Sequence, residues 1–207
     1  MPKLFNLKST LEYGWQQFTK NFKLFLIVGI VMGLVSFLPS LLSAEIGQEP
    51  VKLGMLNIVS WILQTFVTIG LLRIAIKLNA GHPAVFKDLW SGGPWFFKYF
   101  IGSVLYGLAV AAGLVLLIIP GIILAVRLKF FDYLIIDKGM SPVQALKASW
   151  AMTKDHVWEL FVLLFVLALI NVAGSLILFV GLLITVPVSM MAAVLVYRKL
   201  IDRVTKL

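Results

Sequence analysis

The residues best able to do chemistry in this chain are three charges in an apolar setting: Arg127, Lys129 and Asp132, inside the stretch 118–136. On a helix, Lys129 and Asp132 stand three positions apart and share a face, close enough to pair. Arg127 has no local partner of that kind. It is left to reach Asp132 imperfectly, to extend toward lipid headgroups, or to meet polar groups on other helices. Such groups exist: Asn57, Ser60, Gln64 and Thr68 recur at helical spacing, and Asn171 lies in a later apolar run. This set can do one of two things. It can line a polar path or binding pocket through a helix bundle, or it can supply the hydrogen bonds that hold helices together in lipid.

Reactive groups of other kinds are sparse. His82 precedes Pro83, and His156 stands with Asp155 and Glu159 just before an apolar run, readable as a metal-binding edge or as a plain charged flank. There is no Gly-rich phosphate loop, no His-Glu-x-x-His and no Gly-x-Ser-x-Gly. The repeated aspartates that would hold two metals for headgroup transfer are missing too. With no cysteine, thiolate chemistry and disulfides are excluded. No catalytic residue, metal or cofactor is expected.

The elements that must position these side chains are helices in lipid. Of 207 residues, 61% are hydrophobic and 13% charged, where a soluble domain carries about 25% charged residues. So little polar surface cannot cover so much apolar side chain in water. Crossing a bilayer takes about 20 apolar residues, and such runs occupy 24–42 and 55–72, joined by a link with Glu45 and Glu49. Lys20 and Lys23 precede the first run, but the basic leader is long and Leu42-Ser43-Ala44 is a poor cleavage site, so this reads as an uncleaved span. A Gly-, Pro- and charge-rich loop covers 79–94. The run 96–126 is broken by Pro120-Gly121, and 157–197 is long enough to cross twice, with Gly181 and Pro187 near the turn.

Charge decides whether Pro120-Gly121 is a kink or a hairpin tip. With a hairpin there are six spans, near 24–42, 55–72, 96–118, 121–137, 157–178 and 181–198, and all of the Lys and Arg except Lys52, Arg127 and Lys129 face the side that holds both termini. One long span would send Lys138 and Arg198 across, against the cytoplasmic bias of basic residues. The expected fold is therefore all-α: a single integral membrane domain over 1–207, a polytopic bundle of about six transmembrane helices arranged as three hairpins. Both termini are expected inside a prokaryotic inner membrane. The net charge of +9 then marks the cytoplasmic face and not a nucleic-acid surface. In the fourth span, Arg127 falls about 9 Å and Lys129 about 12 Å from Gly121 along the helix. Each mid-span charge costs about 2.5–3.5 kcal/mol, against a return of about 0.3–0.6 per large apolar residue. That span needs neighbours.

A short internal echo divides the chain. Leu11-Glu-Tyr-Gly-Trp15 followed by Thr19-Lys20 matches Leu146-Lys-Ala-Ser-Trp150 followed by Thr153-Lys154, and Phe86-Lys-Asp-Leu-Trp90 before Phe96-Phe97-Lys98 is a fainter copy. Each copy precedes a pair of spans. In the segment 1–22, Leu7, Leu11, Trp15, Phe18 and Phe22 share one helical face, with Lys8, Glu12, Gln16 and Lys20 opposite, as in a helix lying in the headgroup plane. The segment 141–154 opens with Ser141 as N-cap, Pro142 and a capping-box Gln144, and Val143, Leu146 and Trp150 form its apolar stripe. Trp15, Trp90 and Trp150 are the candidate interfacial anchors. Gly29-x-x-x-Gly33 and Gly107-x-x-x-Ala111 are candidate close helix contacts.

The order Ile118-Ile-Pro-Gly-Ile-Ile-Leu-Ala-Val-Arg-Leu-Lys-Phe-Phe131, Leu134-Ile-Ile-Asp-Lys-Gly139 and Ser141-Pro-Val-Gln-Ala-Leu-Lys-Ala-Ser-Trp150 resembles prokaryotic membrane families grouped with the membrane domain of glycerophosphoryl diester phosphodiesterases. The resemblance implies a six-helix membrane domain. The phosphodiesterase domain of some relatives has no counterpart here, so no hydrolytic role passes to Pro120, Gly121, Arg127, Ser149 or Trp150, which match the pattern.

These readings lead to a non-enzymatic accessory or membrane-organising component that works through lipid and helix contacts. A transporter or channel component using the second and fourth spans is the alternative, and a lipid-headgroup enzyme a more distant one. The expected partners are the bilayer and its anionic headgroups, with a membrane-protein partner or a homo-oligomer open and nucleic acid excluded.

Overall fold

A computed structural model describes residues 3–46, 49–177 and 180–204; the side chain of Glu45 and residue 178, the expected end of the fifth span, lie outside the described residues. Among these residues there is no strand. The helices are α1 (Leu7–Lys20), α2 (Phe22–Ile46), α3 (Pro50–Asn79), α4 (Phe96–Leu116), α5 (Ile118–Leu128), α6 (Phe131–Lys138), α7 (Pro142–Met152), α8 (Val157–Leu176) and α9 (Leu182–Val204), with short 3-10 turns at Phe86–Trp90, Gly93–Trp95 and Lys154–His156. Five helical segments, those built on α2, α3, α4, α8 and α9, are long and apolar enough to cross a membrane.

The fourth expected span departs from a single helix. It breaks after Leu128 into α5 and α6, and α5 alone, 11 residues, reaches only about 16 Å at 1.5 Å per residue. The two pieces together run antiparallel along α4. Near the tip a Cβ on Gly113 would lie 2.9 Å from Gly121 Cα, midway Tyr106 stacks on Phe131 at 5.3 Å, and at the far end Lys98 Nζ donates to the Gly139 carbonyl at 2.8 Å. Gly139 has φ 65°, the left-handed conformation that glycine adopts without cost and that ends α6. The tip itself is not Pro120-Gly121 but the extended residue Leu117 (φ −163°, ψ 148°). Pro120 sits in the first turn of α5, where its missing N–H has no intrahelical partner to lose, and Gly121 is the point of close approach to α4.

Each hairpin contributes one arm to the centre and one to the periphery. The second arms, α3, α6 and α9, are the buried ones: half of the apolar window of α9 is buried and 39% of that of α3, against 12% for α2, 11% for α4 and 22% for α8. Every residue from Phe131 to Ile136 of α6 is buried. Tyr133 and Phe130 stack on Tyr197 of α9 at 5.1 and 6.4 Å. The first arms turn large apolar residues outward, among them Leu34, Phe37, Leu108, Phe165 and Leu176, as lipid-facing helices do.

The three repeat copies join these hairpins in a ring. The 3-10 turn Phe86–Trp90, which leads into the second hairpin, packs on α3 of the first. Helix α7, which leads into the third, packs on α5 and α6 of the second. Helix α1, which leads into the first, packs on α9 of the third. In all three the residue before the tryptophan is pressed inward. A Cβ on Gly14 would lie 2.5 Å from the Val188 carbonyl oxygen, while Leu89 and Ser149 are fully buried. The three tryptophans point out, with Trp15 52%, Trp90 48% and Trp150 39% exposed. The face of α1 turned to α9 is Thr10, Gly14 and Phe18, with Leu7 and Leu11 at its margin. Trp15 and Phe22, expected on the same face, are exposed instead.

Small residues set the close contacts, as is usual where apolarity does not distinguish protein from lipid. Of the expected pairs, Gly29 makes such a contact, a Cβ there lying 2.8 Å from Leu183 Cδ2 of α9, and the other glycines do not. Cβ atoms on Gly33 and Gly107 would meet nothing within 4 Å, whereas one on Gly70 would lie 1.9 Å from the Leu89 carbonyl oxygen and one on Gly174 2.5 Å from Thr185 Oγ1.

Candidate functional site

The break between α5 and α6 frees backbone groups, and α7 supplies their partners. Ser149 Oγ donates to the Arg127 carbonyl at 2.8 Å and accepts from the Phe130 N–H at 3.2 Å. Thr153 Oγ1 also donates to the Arg127 carbonyl, at 3.1 Å. Ala145, Ser149 and Thr153, all fully buried, form the small, polar face of α7 that meets the break, while Val143 and Trp150 face outward. The start of α7 fits its sequence: Pro142 opens it, and the Ser141 N–H donates to Gln144 Oε1 at 3.2 Å.

The Arg127 side chain leaves α5 toward α7. Its guanidinium carbon lies 3.2 Å from the centroid of the Trp150 ring, and Nη2 donates to the Trp150 carbonyl at 2.9 Å. Nε is buried without a hydrogen-bond partner. Asp155 is near enough to act on this charge. Arg73 of α3 repeats the arrangement at another joint, 4.7 Å from the Trp95 ring and with Nη1 donating to the Ser91 carbonyl at 3.3 Å.

Lys129 and Asp132 pair at 3.1 Å, and the buried Asp132 also accepts the Tyr133 N–H at 2.9 Å. Both charges act on Tyr99 of α4. Tyr99 in turn lines a recess of about 240 Å³ between α3 and α4 with Gln64, Thr65, Thr68 and Ser103. Of the polar stripe on α3, Gln64 and Thr68 thus approach the charged pair, through Tyr99. Ser60 is buried and bonds back to the Leu56 carbonyl at 2.7 Å, and Asn57 is exposed. Asn171 belongs elsewhere: its Nδ2 donates to Ser189 Oγ at 3.1 Å, joining α8 to α9, and its Oδ1 is buried without a partner. Of the sequence-derived set, only Gln64 and Thr68 approach the Lys129–Asp132 pair, while Asn57, Ser60, Asn171 and Arg127 lie apart from it.

One polar cluster was not legible in the sequence, and a second only in part. Asp137 accepts Arg198 Nη2 at 3.1 Å, Arg198 Nη1 at 3.2 Å and the Tyr197 hydroxyl at 3.0 Å, across 61 positions that no local spacing links. His156 Nδ1 lies 3.4 Å from Glu159 Oε1, Arg203 donates to His156 Nε2, and Glu159 Oε2 accepts the Leu4 N–H at 2.9 Å. That arrangement places the ring proton on Nδ1. The charged flank at 155–159 thus fastens the N-terminal segment to α8 and α9. Tyr13 docks α1 on the end of α3, accepting from Asn79 Nδ2 at 2.8 Å. Burial pushes its phenol above the ordinary value even against that bond, so it stays neutral. Among the described residues, no group of three or more His, Cys, Asp or Glu side chains is placed to hold a metal.

Clefts recur at the joints between the second arm of one hairpin and the first arm of the next. The α3–α4 joint holds the polar recess. The α5–α8 joint holds a cleft of about 430 Å³ walled by Ile119, Ile122, Ile123, Val126, Val157, Trp158 and Phe161. The α9–α2 joint holds one of about 390 Å³ between Phe25, Val28, Gly29, Met32 and Gly33 on one side and Leu182, Leu183 and Val186 on the other. The last two are apolar and lie in the size range of ligand pockets, roughly 300–1,000 Å³.

Uncharacterized proteins of Mycobacterium bovis and Mycobacterium tuberculosis are similar to this chain, each 23% identical over an alignment covering 95% of it and 69% of the relative. No protein-family profile and no solved structure matches.

Proposed function

We propose that the chain is a non-enzymatic, membrane-organising or accessory component of a bacterial inner membrane, acting through its helix and lipid contacts. One observation carries this reading. The buried or partly buried carboxylates Asp132, Asp137 and Glu159 are spent on contacts that fasten the fold, while the α5–α8 and α9–α2 clefts offer apolar side chains. Acid–base work needs titratable groups facing a shared cavity, and nucleophilic work needs an activated side chain. The lysine distribution supports a cytoplasmic location for both termini, and the mycobacterial relatives support a bacterial membrane. The test is reconstitution. Proteoliposomes are expected to neither hydrolyse nor transfer lipid. Turnover of a lipid or phosphodiester that is lost in Asp132→Asn or Asp137→Asn, with the fold intact, would sink the reading.

A second reading, a solute path, rests on the α3–α4 recess, whose Gln64, Thr68, Tyr99 and Ser103 lead toward Lys129 and Asp132. It expects flux of a polar solute across proteoliposomes that Gln64→Leu or Tyr99→Phe abolishes. A broad solute panel without flux counts against it.

A further inference from the structure

We propose that the α5–α8 cleft is a binding site for an anionic phospholipid, with the phosphate on Arg127 and an acyl chain along Ile119, Ile122, Ile123 and Phe161. This deepens the lipid-contact reading above and rests on it.

The charge comes first. A guanidinium carries five N–H donors; Arg127 spends one on the Trp150 carbonyl and buries another, on Nε, which leaves those of Nη1 and the second of Nη2. Its cation forms no ion pair with any described carboxylate; Asp155 acts on it only from a distance. The side chain is nevertheless fixed in place by the Trp150 ring and by that carbonyl. An arginine held at the edge of an apolar bundle with donors unspent calls for an oxyanion, and planar two-point donation matches phosphate. Lys154, one position beyond the Thr153 that touches the Arg127 carbonyl, is exposed and forms no ion pair among the described residues, a second cation at the same joint.

The cleft then supplies the tail site. Val126, next to Arg127 in sequence, is one of its walls, and Val157 and Trp158, just beyond Lys154, form another part. Arg127, at the end of α5, and Lys154, in the turn before α8, are thus close in sequence to the residues that wall the cleft. Trp158, 74% exposed, flanks the mouth as interfacial tryptophans do. The α9–α2 cleft occupies the equivalent joint, next to the repeat copy that ends in the exposed Lys20. It lacks an arginine on its tryptophan, so the α5–α8 joint is the stronger site.

The experiment places the full chain in phosphatidylcholine bilayers containing a phosphatidylglycerol with a mid-chain diazirine. After irradiation, adducts are mapped by peptide mass spectrometry. Adducts are expected on 119–126 and 157–161, competed by unlabelled phosphatidylglycerol but not by phosphatidylcholine or inorganic phosphate. Losing a charge-assisted pair of hydrogen bonds, Arg127→Gln should lower occupancy about tenfold or more. Ile122→Trp fills the cleft and should abolish these adducts, while any weaker labelling of the α9–α2 cleft, at 29–37, stays unchanged. Because Arg127→Gln also gives up the bond to Trp150, folding is checked by circular dichroism, and Ile122→Trp decides the matter if that variant does not fold. Equal competition by phosphatidylcholine, competition by inorganic phosphate alone, or adducts spread evenly around the bundle would overturn the site. Enzymatic turnover or solute flux would instead overturn the broader reading without altering this map.

Discussion

Ser149 of α7 and Phe130 at the head of α6 meet at 3.2 Å, hydroxyl to backbone N–H, while the same hydroxyl donates to the carbonyl of Arg127 at 2.8 Å. One side chain thus bridges both edges of the gap in the broken fourth arm. Without it, the Phe130 N–H would face an apolar interior, where an unsatisfied donor costs about 1–3 kcal/mol.

Ser149→Ala should therefore lower stability in detergent by about 1–3 kcal/mol. Thr153 still serves the Arg127 carbonyl, so Ser149→Ala with Thr153→Val should cost more than the sum of the two single changes. Thermal unfolding followed by circular dichroism measures both. A neutral single variant would mean that the break is satisfied by some other group.

Gly70 and Gly107 make a paired test of packing. An alanine methyl at Gly70 would run into the Leu89 carbonyl oxygen at 1.9 Å, and backbone cannot yield as a side-chain tip can. Gly70→Ala should destabilise by about 2 kcal/mol or more through overpacking. Gly107→Ala meets open space and should stay within about 0.5 kcal/mol. Equal effects would contradict the docking of 86–90 on α3.

Asp137 holds Arg198 and Tyr197 to α6, with 11% of its side chain accessible against 25% for Arg198. Removing one partner of a buried pair strands the other. Because Arg198 partly reaches the surroundings, Asp137→Ala should cost about 2–4 kcal/mol, toward the lower end for such pairs. The double variant Asp137→Leu with Arg198→Met should recover much of that loss. A double variant as unstable as the single would show that the pair is not the cause.

Because the chain contains no cysteine, single cysteines report sidedness without background. Ile119→Cys at the α4–α5 tip and Lys147→Cys on α7, both at exposed positions, should react with an impermeant maleimide from opposite sides of the membrane. Reaction of both from one side would remove the hairpin topology.

What the sequence determined by itself is what lipid demands locally. A spanning helix must satisfy its own backbone and be apolar over its length, so the helical runs, the all-α class and the basic clusters could be read from neighbouring residues alone. The repeat around Trp15, Trp90 and Trp150 was readable for the same reason. The tertiary structure decided which arms are central, where the fourth arm breaks, and which charges meet. Apolarity does not rank one greasy helix above another as a neighbour; fit and hydrogen bonding do. Ser149 finding Arg127 and Phe130, or Arg198 finding Asp137, depends on how the hairpins pack against each other, which spacing along the chain does not encode.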